Sequence, residues 1–246
     1  MMLRRSVHPH HPSFNPDLYC QPSMTASTPV PPNQPSSGNR PALAREDLSA
    51  LILAGGTATR FGGQDKGLAS LLGRPLIEYI LPRLEPHVAY LLISANRNRD
   101  VYRRYAPVVL PDAPDLPEAG GPLVGVTTGL RAAPTPWVVV VPCDTPALPA
   151  DLVARLAAAV ASAPGKRLAV ATTHERRHAT CMLLHRSLAV ELTEALADGE
   201  RQVRRWQDSV GAIEVPFEDP SRFENLNSPE DFQHFAASYA SQQENG

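Results

Sequence analysis

The sequence predicts a three-layer α/β/α domain built on a mostly parallel β-sheet. Its short apolar runs alternate with segments of helical periodicity, and glycine-rich or polar stretches follow the runs directly. Strands that are apolar on both faces are typical of parallel sheets covered by helices on both sides. Because ligands of such sheets bind at the carboxyl ends of strands, we expect the functional residues directly after the strands.

The first 47 residues differ in composition from the rest of the chain. They are rich in Pro, Ser, Asn and His and carry no periodic apolar pattern. Such a segment buries too little apolar surface to offset its ordering entropy, so we interpret 1–47 as a disordered extension and 48–246 as the folded domain. The charged start at residues 1–5 resembles that of a secretory signal, but no apolar stretch follows it, so we reject a signal peptide.

Seven apolar runs predict the strands. Most are unbroken by polar residues, as expected of strands that are buried on both faces. The first ends in a glycine pair and the fourth is stopped by a proline. In chain order the predicted strands are Ser49–Leu53, Val88–Ile93, Val108–Leu110, Trp137–Val141, Leu168–Ala171, Thr180–Leu184 and Ala212–Val215.

Helices are predicted between these runs by apolar residues at helical spacing and by residues suited to a first turn. Leu152, Leu156 and Val160, for example, fall on one face of a helix that begins near Pro149. A serine followed by proline and glutamate predicts the start of the last helix. In chain order the predicted helices are Pro75–Leu84, Gly121–Ala132, Pro149–Ala163, Ser187–Ala197 and one that begins at Ser228–Glu230.

Charge and cysteine content exclude several classes of function. The formal net charge of −2 provides no general basic surface for nucleic acid or a membrane. The three cysteines, Cys20, Cys143 and Cys181, are far apart and odd in number, which argues against a disulfide framework or a zinc site. No apolar run is long enough to span a membrane. We therefore expect a cytoplasmic protein.

The strongest functional motif directly follows the first strand. Four glycines allow backbone amides to approach an anion closely: Gly55, Gly56, Gly62 and Gly63. Arg60 and Lys66 add two cations, so the segment predicts a cradle for a triphosphate. It has neither the Walker pattern nor the dinucleotide-binding pattern. The alternative is a flexible glycine-rich loop with two solvated cations.

The string L-A-G-G-x-x-x-R-x-G-G-x-D-K-G resembles the molybdenum cofactor guanylyltransferases, which belong to the Rossmann-like, glycosyltransferase-A-like nucleotidyltransferases. The resemblance covers residues 48–235 and includes further motifs after successive strands: Ala95–Arg97, Pro111–Asp112, Gly120–Gly125, Pro142–Pro146 and Asn225–Glu230. It implies a nucleotidyltransferase fold. It also implies transfer of GMP from GTP to the phosphate of molybdenum–molybdopterin, which yields molybdopterin guanine dinucleotide and pyrophosphate.

The resemblance implies roles for individual residues. The residues implied to be catalytic are Arg60, Lys66 and Asp144, and those implied to bind GTP are Leu53, Ala54, Gly55, Gly56, Lys66, Asp112 and Asp144. Asp144 also has a physical argument, because it follows an apolar strand and Mg²⁺ takes one or two carboxylates together with phosphate oxygens. We therefore expect Mg²⁺ as cofactor with Asp144 as its ligand. The alternative is an aspartate that only caps a turn.

Nucleotide choice and the acceptor side are less constrained by the sequence. Guanine presents N–H donors, so its site needs acceptors such as Asp112, which could also be an ordinary turn aspartate. This chain has Ser94 where the family often has asparagine, which leaves open whether Ser94 or Asn96 contacts the nucleotide. Two basic clusters, 175–178 and 201–205, fit either the anionic pterin or a solvated surface.

Two other functions remain as alternatives. One is a cytidylyltransferase or a sugar-phosphate nucleotidyltransferase of the same fold, against which Gly55-Gly56 and Asp65-Lys66-Gly67 argue. The other is a non-catalytic nucleotide-binding module, against which the intact cations and Asp144 argue. As partners we expect GTP and molybdenum–molybdopterin, with molybdoenzyme chaperones or cofactor-insertion proteins as further candidates, and neither nucleic acid nor a membrane.

Overall fold

A computed structural model describes residues 43–55 and 65–244 of the chain. The strands of this part are β1 (Leu48–Leu53), β2 (Ser70–Leu71), β3 (Arg74–Pro75), β4 (Tyr90–Ser94), β5 (Val108–Leu110), β6 (Trp137–Pro142), β7 (Leu168–Thr172), β8 (Arg177–His185) and β9 (Ile213–Pro216). Its helices are α1 (Ile77–Leu84), α2 (Arg99–Tyr102), α3 (Pro122–Ala132), α4 (Leu152–Ser162), α5 (Leu188–Ala197), α6 (Val203–Ser209) and α7 (Pro229–Glu244).

Seven strands form one sheet in the order β5-β4-β1-β6-β8-β7-β9. Strand β8 pairs antiparallel with β6 and β7, and the other neighbours pair parallel, which confirms the mostly parallel sheet. Only four residues separate β7 from β8. A connection this short allows an antiparallel hairpin, whereas parallel neighbours need a longer crossover. Strands β2 and β3 form a separate small hairpin.

Helices cover both faces of the sheet, as the apolar strands predicted. In β1, Ile52 packs into a core with α1 and α4, whereas its neighbour Leu51 packs into a second core with α3, α5 and α6. In β6, Val139 and Val140 divide between the same two cores. Successive side chains of a strand point to opposite faces, so strands of this kind must be apolar throughout. The three-layer α/β/α architecture is confirmed.

Helix α3 lies very close to the sheet because two of its residues are glycines. A Cβ at Gly129 would lie 2.3 Å from Cδ2 of Leu51, and a Cβ at Gly125 would lie 2.7 Å from Oγ of Ser94. The close approach buries Ser94 to 3% exposure beneath the helix. The side chain of Ser94 therefore packs inside the domain, and the position does not supply a surface group at the end of β4.

The sequence patterns did not predict some of the elements. Helix α2 has four residues, too few to show helical periodicity, and α6 overlaps the second basic cluster, with Trp206 and Gln207 as its buried residues. A 3-10 turn at Arg45–Asp47 precedes β1, and Leu43 packs against the core. The division of the chain at residue 48 stays a prediction, because residues 1–42 lie outside the described part. No helix within the described ranges is long and apolar enough to cross a membrane.

Candidate functional site

The carboxyl ends of four neighbouring strands meet at one edge of the sheet, and main-chain hydrogen bonds continue beyond them. The amide of Ala54 donates to the carbonyl of Ser94 (2.8 Å), and the amide of Cys143 donates to the carbonyl of Leu53 (3.0 Å). The residues that follow β1, β4 and β6 are therefore held side by side. Because its amide is used in this way, the N–H of Ala54 is not available to a ligand.

Lys66 and Asp144 meet at this edge. Nζ of Lys66 donates to Oδ2 of Asp144 and to Oδ1 of Asn227, each at 2.5 Å. Both charged side chains are shielded from solvent, with exposed fractions of 23% for Lys66 and 14% for Asp144. The second carboxylate oxygen of Asp144, Oδ1, is buried and has no hydrogen-bond partner among the described residues.

Asn227 is a site residue to which the sequence analysis assigned no role. It lies just before α7 in the 225–230 motif, and its own orientation is determined locally. Its amide nitrogen Nδ2 donates to the carbonyl of Asn225 (3.2 Å), which leaves Oδ1 to face Lys66. The main chain is held by Asp231, whose carboxylate accepts from the amides of Asn227 (2.6 Å) and Ser228 (2.8 Å). These backbone donors lower the pKa of Asp231.

Asp112 follows β5 and is held by Asn96. Nδ2 of Asn96 donates to Oδ2 of Asp112 (2.8 Å), and Oδ1 of Asn96 accepts from the amide of Asp112 (2.9 Å). Such a reciprocal pair fixes the direction of the carboxylate. Asn96, rather than Ser94, is thus the polar residue that the structure places at the end of β4 beside Asp112.

The glycine-rich segment is described only at its two ends. Gly55 is exposed, and a Cβ added there would lie at ordinary van der Waals distance from Nδ2 of Asn96 (3.8 Å) and from the carbonyl oxygen of Ser94 (3.9 Å). Gly56 and Arg60 lie outside the described residues, and the triphosphate cradle between them stays a prediction. At the far end, Gly67 is enclosed, since an added Cβ would lie 2.6 Å from the hydroxyl of Tyr102.

An open cleft of about 380 Å³ adjoins Lys66 through Asn227. Its walls carry both signs of charge and two asparagine side chains. The lining residues are Arg176, Glu224, Asn225, Leu226, Asn227, Glu230, Asp231 and His234.

The two basic clusters lie against each other, since Nη1 of Arg177 donates to the carbonyl of Arg204 (3.5 Å). Arg177 is paired with Asp208 (2.7 Å) and Glu214, and Arg205 is paired with Glu200 (2.7 Å), so these cations serve surface ion pairs. Arg176, by contrast, lines the cleft.

Two further side chains that sequence reasoning singled out are buried. Cys143 lies in the core, where burial, followed by the charge of Asp144, raises the thiol pKa, so the group is a neutral packed residue. His178 stacks on Phe223 with ring centroids 4.1 Å apart, and Nε2 of His178 lies 3.1 Å from Oγ1 of Thr173. Within the described ranges, no group of three or more His, Cys, Asp or Glu side chains is arranged to hold a metal ion.

Comparison with known proteins matches residues 50–212 to the family described as "MobA-like NTP transferase domain". A molybdenum cofactor guanylyltransferase of Serratia proteamaculans (strain 568) is 47% identical over 189 residues, which cover 76% of this chain and 92% of that protein.

Solved structures share the fold at lower identity. The molybdopterin-guanine dinucleotide biosynthesis protein A of Archaeoglobus fulgidus has a TM-score of 0.64 at 20% identity, over 79% of this chain and 99% of that one. A CMP:2-keto-3-deoxy-manno-octonic acid synthetase, solved in complex with CTP, has a TM-score of 0.62 at 13% identity, over 80% and 100%. The fold alone therefore does not distinguish one nucleotide from another.

The buried imidazole of His178 predicts an acid-sensitive component of stability. Burial, with a smaller contribution from Arg176, lowers the pKa of His178 to about 4, so the folded state favours the neutral ring. The resulting contribution to the free energy of unfolding is complete above the ordinary pKa of about 6.5 and is lost as pH falls towards 4. Because one pKa unit corresponds to about 1.4 kcal/mol, the whole contribution is roughly 3 kcal/mol. We expect His178→Phe to lose this pH-dependent component in chemical unfolding between pH 7 and pH 4.

The matched control is His174→Phe, because the side chain of His174 is 71% exposed. That variant is expected to follow the wild-type pH dependence of the unfolding free energy. Parallel curves for wild type and His178→Phe would contradict the assignment of the acid-sensitive component to His178.

Proposed function

Because the chain belongs to the MobA-like NTP transferase family of nucleotidyltransferases, and matches a molybdenum cofactor guanylyltransferase over most of its length, we propose that it transfers GMP from GTP to the phosphate of molybdenum–molybdopterin. The products are molybdopterin guanine dinucleotide and pyrophosphate. The observation that carries the proposal is the pairing of Lys66 with Asp144 at the strand-end edge, beside the segment that begins at Gly55.

The reaction asks for positioning and charge neutralisation rather than for a nucleophile of the enzyme. A phosphate oxygen of the acceptor attacks the α-phosphorus of GTP, a P–O bond forms, and the bond to the departing pyrophosphate breaks. Lys66 supplies a shielded cation for the triphosphate, and we assign Arg60 and the loop amides to the same task. The neutral, buried thiol of Cys143 takes no part.

The donor set at Asp144 fits Mg²⁺. An anionic oxygen that is buried without a hydrogen-bond partner is costly unless a cation joins it, and Oδ1 of Asp144 has no such partner in the part of the chain that the structure describes. Mg²⁺ keeps several waters and binds through one or two carboxylates plus substrate phosphates, so a single aspartate is sufficient. When bound there, Mg²⁺ would neutralise negative charge on the phosphate oxygens.

The cleft beside Asn227 is the site we assign to the acceptor. It adjoins the residue that contacts Lys66, so a molecule within it lies next to the phosphate-binding edge. Arg176 gives one wall a forked cation suited to an anionic group, and the asparagines offer donors and acceptors to a polar ring system.

Guanine recognition is assigned to Asp112 and to the backbone of Leu53 to Gly56. A guanine site must present acceptors to N1–H and N2–H₂, and the carboxylate of Asp112 is one that Asn96 already orients. The exposed main chain of Gly55 would let a purine lie against it.

Asp144→Asn is expected to abolish turnover and to leave the fold intact. The amide keeps the size of the side chain but removes the charge that Mg²⁺ requires, so pyrophosphate release from GTP with the acceptor present should fall below detection. Asp151→Asn is the control, since Asp151 lies at the start of α4 and its partner Arg155 also pairs with Glu218. Near wild-type turnover in Asp144→Asn, with wild-type melting behaviour, would refute the role of Asp144.

GTP is expected to bind at least about tenfold more tightly than ATP or CTP in the presence of Mg²⁺, the ratio that the loss of one hydrogen bond gives. Asp112→Ala should reduce this preference more than it lowers the rate of the chemical step. The control is Asp115→Ala, a nearby exposed aspartate that pairs with Arg131. Competition binding with the three nucleotides measures the preference in each protein. If CTP bound best to the wild type, a cytidylyltransferase would replace the proposal.

A further inference from the structure

The short helix α2 carries a buried tyrosine that points to the residue before Lys66. Tyr102 is fully buried, and its hydroxyl donates to Oδ1 of Asp65, which is itself only 5% exposed. Burial, together with Cys143 and Asp65, raises the pKa of Tyr102, so the hydroxyl stays protonated and remains a donor. The buried carboxylate of Asp65 thus accepts from a neutral donor on α2, a helix that has no other role in the proposed reaction.

The other oxygen of Asp65 is held by the loop that leads into α2. Nδ2 of Asn98 donates to Oδ2 of Asp65 at 3.3 Å. Asn98 has a left-handed backbone with φ of 49°, a conformation that asparagine tolerates better than most residues. Its carbonyl accepts from the amides of Val101 (2.9 Å) and Tyr102 (3.1 Å), so the same residue starts the helix. Both donors to Asp65 therefore belong to one rigid local unit.

Gly67 is enclosed on the other side of Lys66. An added Cβ would lie 2.6 Å from the hydroxyl of Tyr102 and 3.2 Å from Cβ of Cys143, a separation that only glycine allows without a shift. Cys143 directly precedes Asp144. The main chain at Lys66 is thus confined between Tyr102 and the end of β6, and this confinement sets how far Lys66 lies from Asp144.

We infer that Tyr102 is a positioning residue for Lys66: through Asp65 and Gly67 it fixes the main chain from which the lysine reaches Asp144. The inference rests on the proposed role of Lys66 as a cation for the triphosphate. Tyr102 itself does not need to touch the nucleotide. Its hydroxyl holds the buried side chain of Asp65 in one orientation, and this fixes the direction in which the main chain continues to Lys66. Residues behind a metal ligand orient that ligand in the same way.

Tyr102→Phe removes the hydroxyl and leaves the ring. We expect the variant to bind GTP with Mg²⁺ about tenfold more weakly than wild type, a change within the range of coupling between residues of one hydrogen-bond network. Tyr79→Phe is the matched control, because Tyr79 is also a buried tyrosine, 8% exposed, whose hydroxyl donates to the carbonyl of Leu71 at 2.7 Å. Both variants should show a lowered melting temperature, but Tyr79→Phe should keep wild-type GTP affinity.

A double-mutant cycle with Lys66→Ala separates positioning from a general structural effect. If Tyr102 acts through Lys66, Tyr102→Phe should weaken GTP binding in the wild-type background and have no further effect in the Lys66→Ala background. Equal losses in both backgrounds, or a loss in Tyr79→Phe as large as in Tyr102→Phe, would overturn the inference and leave the proposed function standing. Unchanged GTP binding by Lys66→Ala would instead refute the proposed role of Lys66, and the inference with it.

Asn98→Gly provides a second variant should Tyr102→Phe fold poorly. Glycine accepts the left-handed backbone at this position, so the change removes the amide donor to Asp65 without forcing the helix start to rearrange. We expect weaker GTP binding that again disappears in the Lys66→Ala background. Full GTP affinity in Asn98→Gly together with full affinity in Tyr102→Phe would show that the anchoring of Asp65 is irrelevant to Lys66.

Discussion

The parallel pairing of β1 with β6 determines which residues meet at the candidate site. Leu53 pairs with Pro142 in register, and the amide of Cys143 extends the pairing by one further bond to the carbonyl of Leu53. Residue 144 therefore emerges beside the start of the glycine-rich segment, although the two are about ninety positions apart in sequence. At the other end of that segment, Lys66 contacts the same residue, Asp144.

Neutral donors and acceptors orient several ionic groups of the site, in addition to the ion pair between Lys66 and Asp144. Asn227 faces Lys66, Asn96 pairs with Asp112, and Tyr102 donates to Asp65. A neutral partner such as Asn96 directs a charged side chain without cancelling its charge, whereas the charges of Lys66 and Asp144 offset each other. In metal sites, too, residues that hydrogen-bond to a metal-binding side chain fix its orientation.

The sequence predicted the elements that have long apolar patterns and missed those that do not. Every predicted strand and helix is present. Unbroken apolar runs reflect strands that are buried on both faces, and apolar stripes reflect helices that are buried on one face. Boundaries moved by one to three residues. Strand β8 starts earlier than predicted because main-chain pairing continues past the apolar run, and α1 starts at Ile77 because Pro75 pairs with Ser70 in the β2–β3 hairpin. Helix α2 was not predicted because four residues complete only one turn, and α6 because it is short and three of its seven residues are charged. The roles of the predicted site residues all stay predictions, and Arg60 and Gly56 also lie outside the described residues.

The sequence by itself determined the fold class, the family resemblance and the positions of Lys66, Asp112 and Asp144 after their strands, because these follow from local pattern and from chain order. Only the tertiary structure decided which side chains support them. Asn227 reaches Lys66 across 161 positions, and Asn98 and Tyr102 reach Asp65 across 33 and 37. Ser94 is buried because Gly125, in another element, lets α3 approach it. Such contacts depend on how separate elements pack, and no local pattern in the sequence encodes that packing.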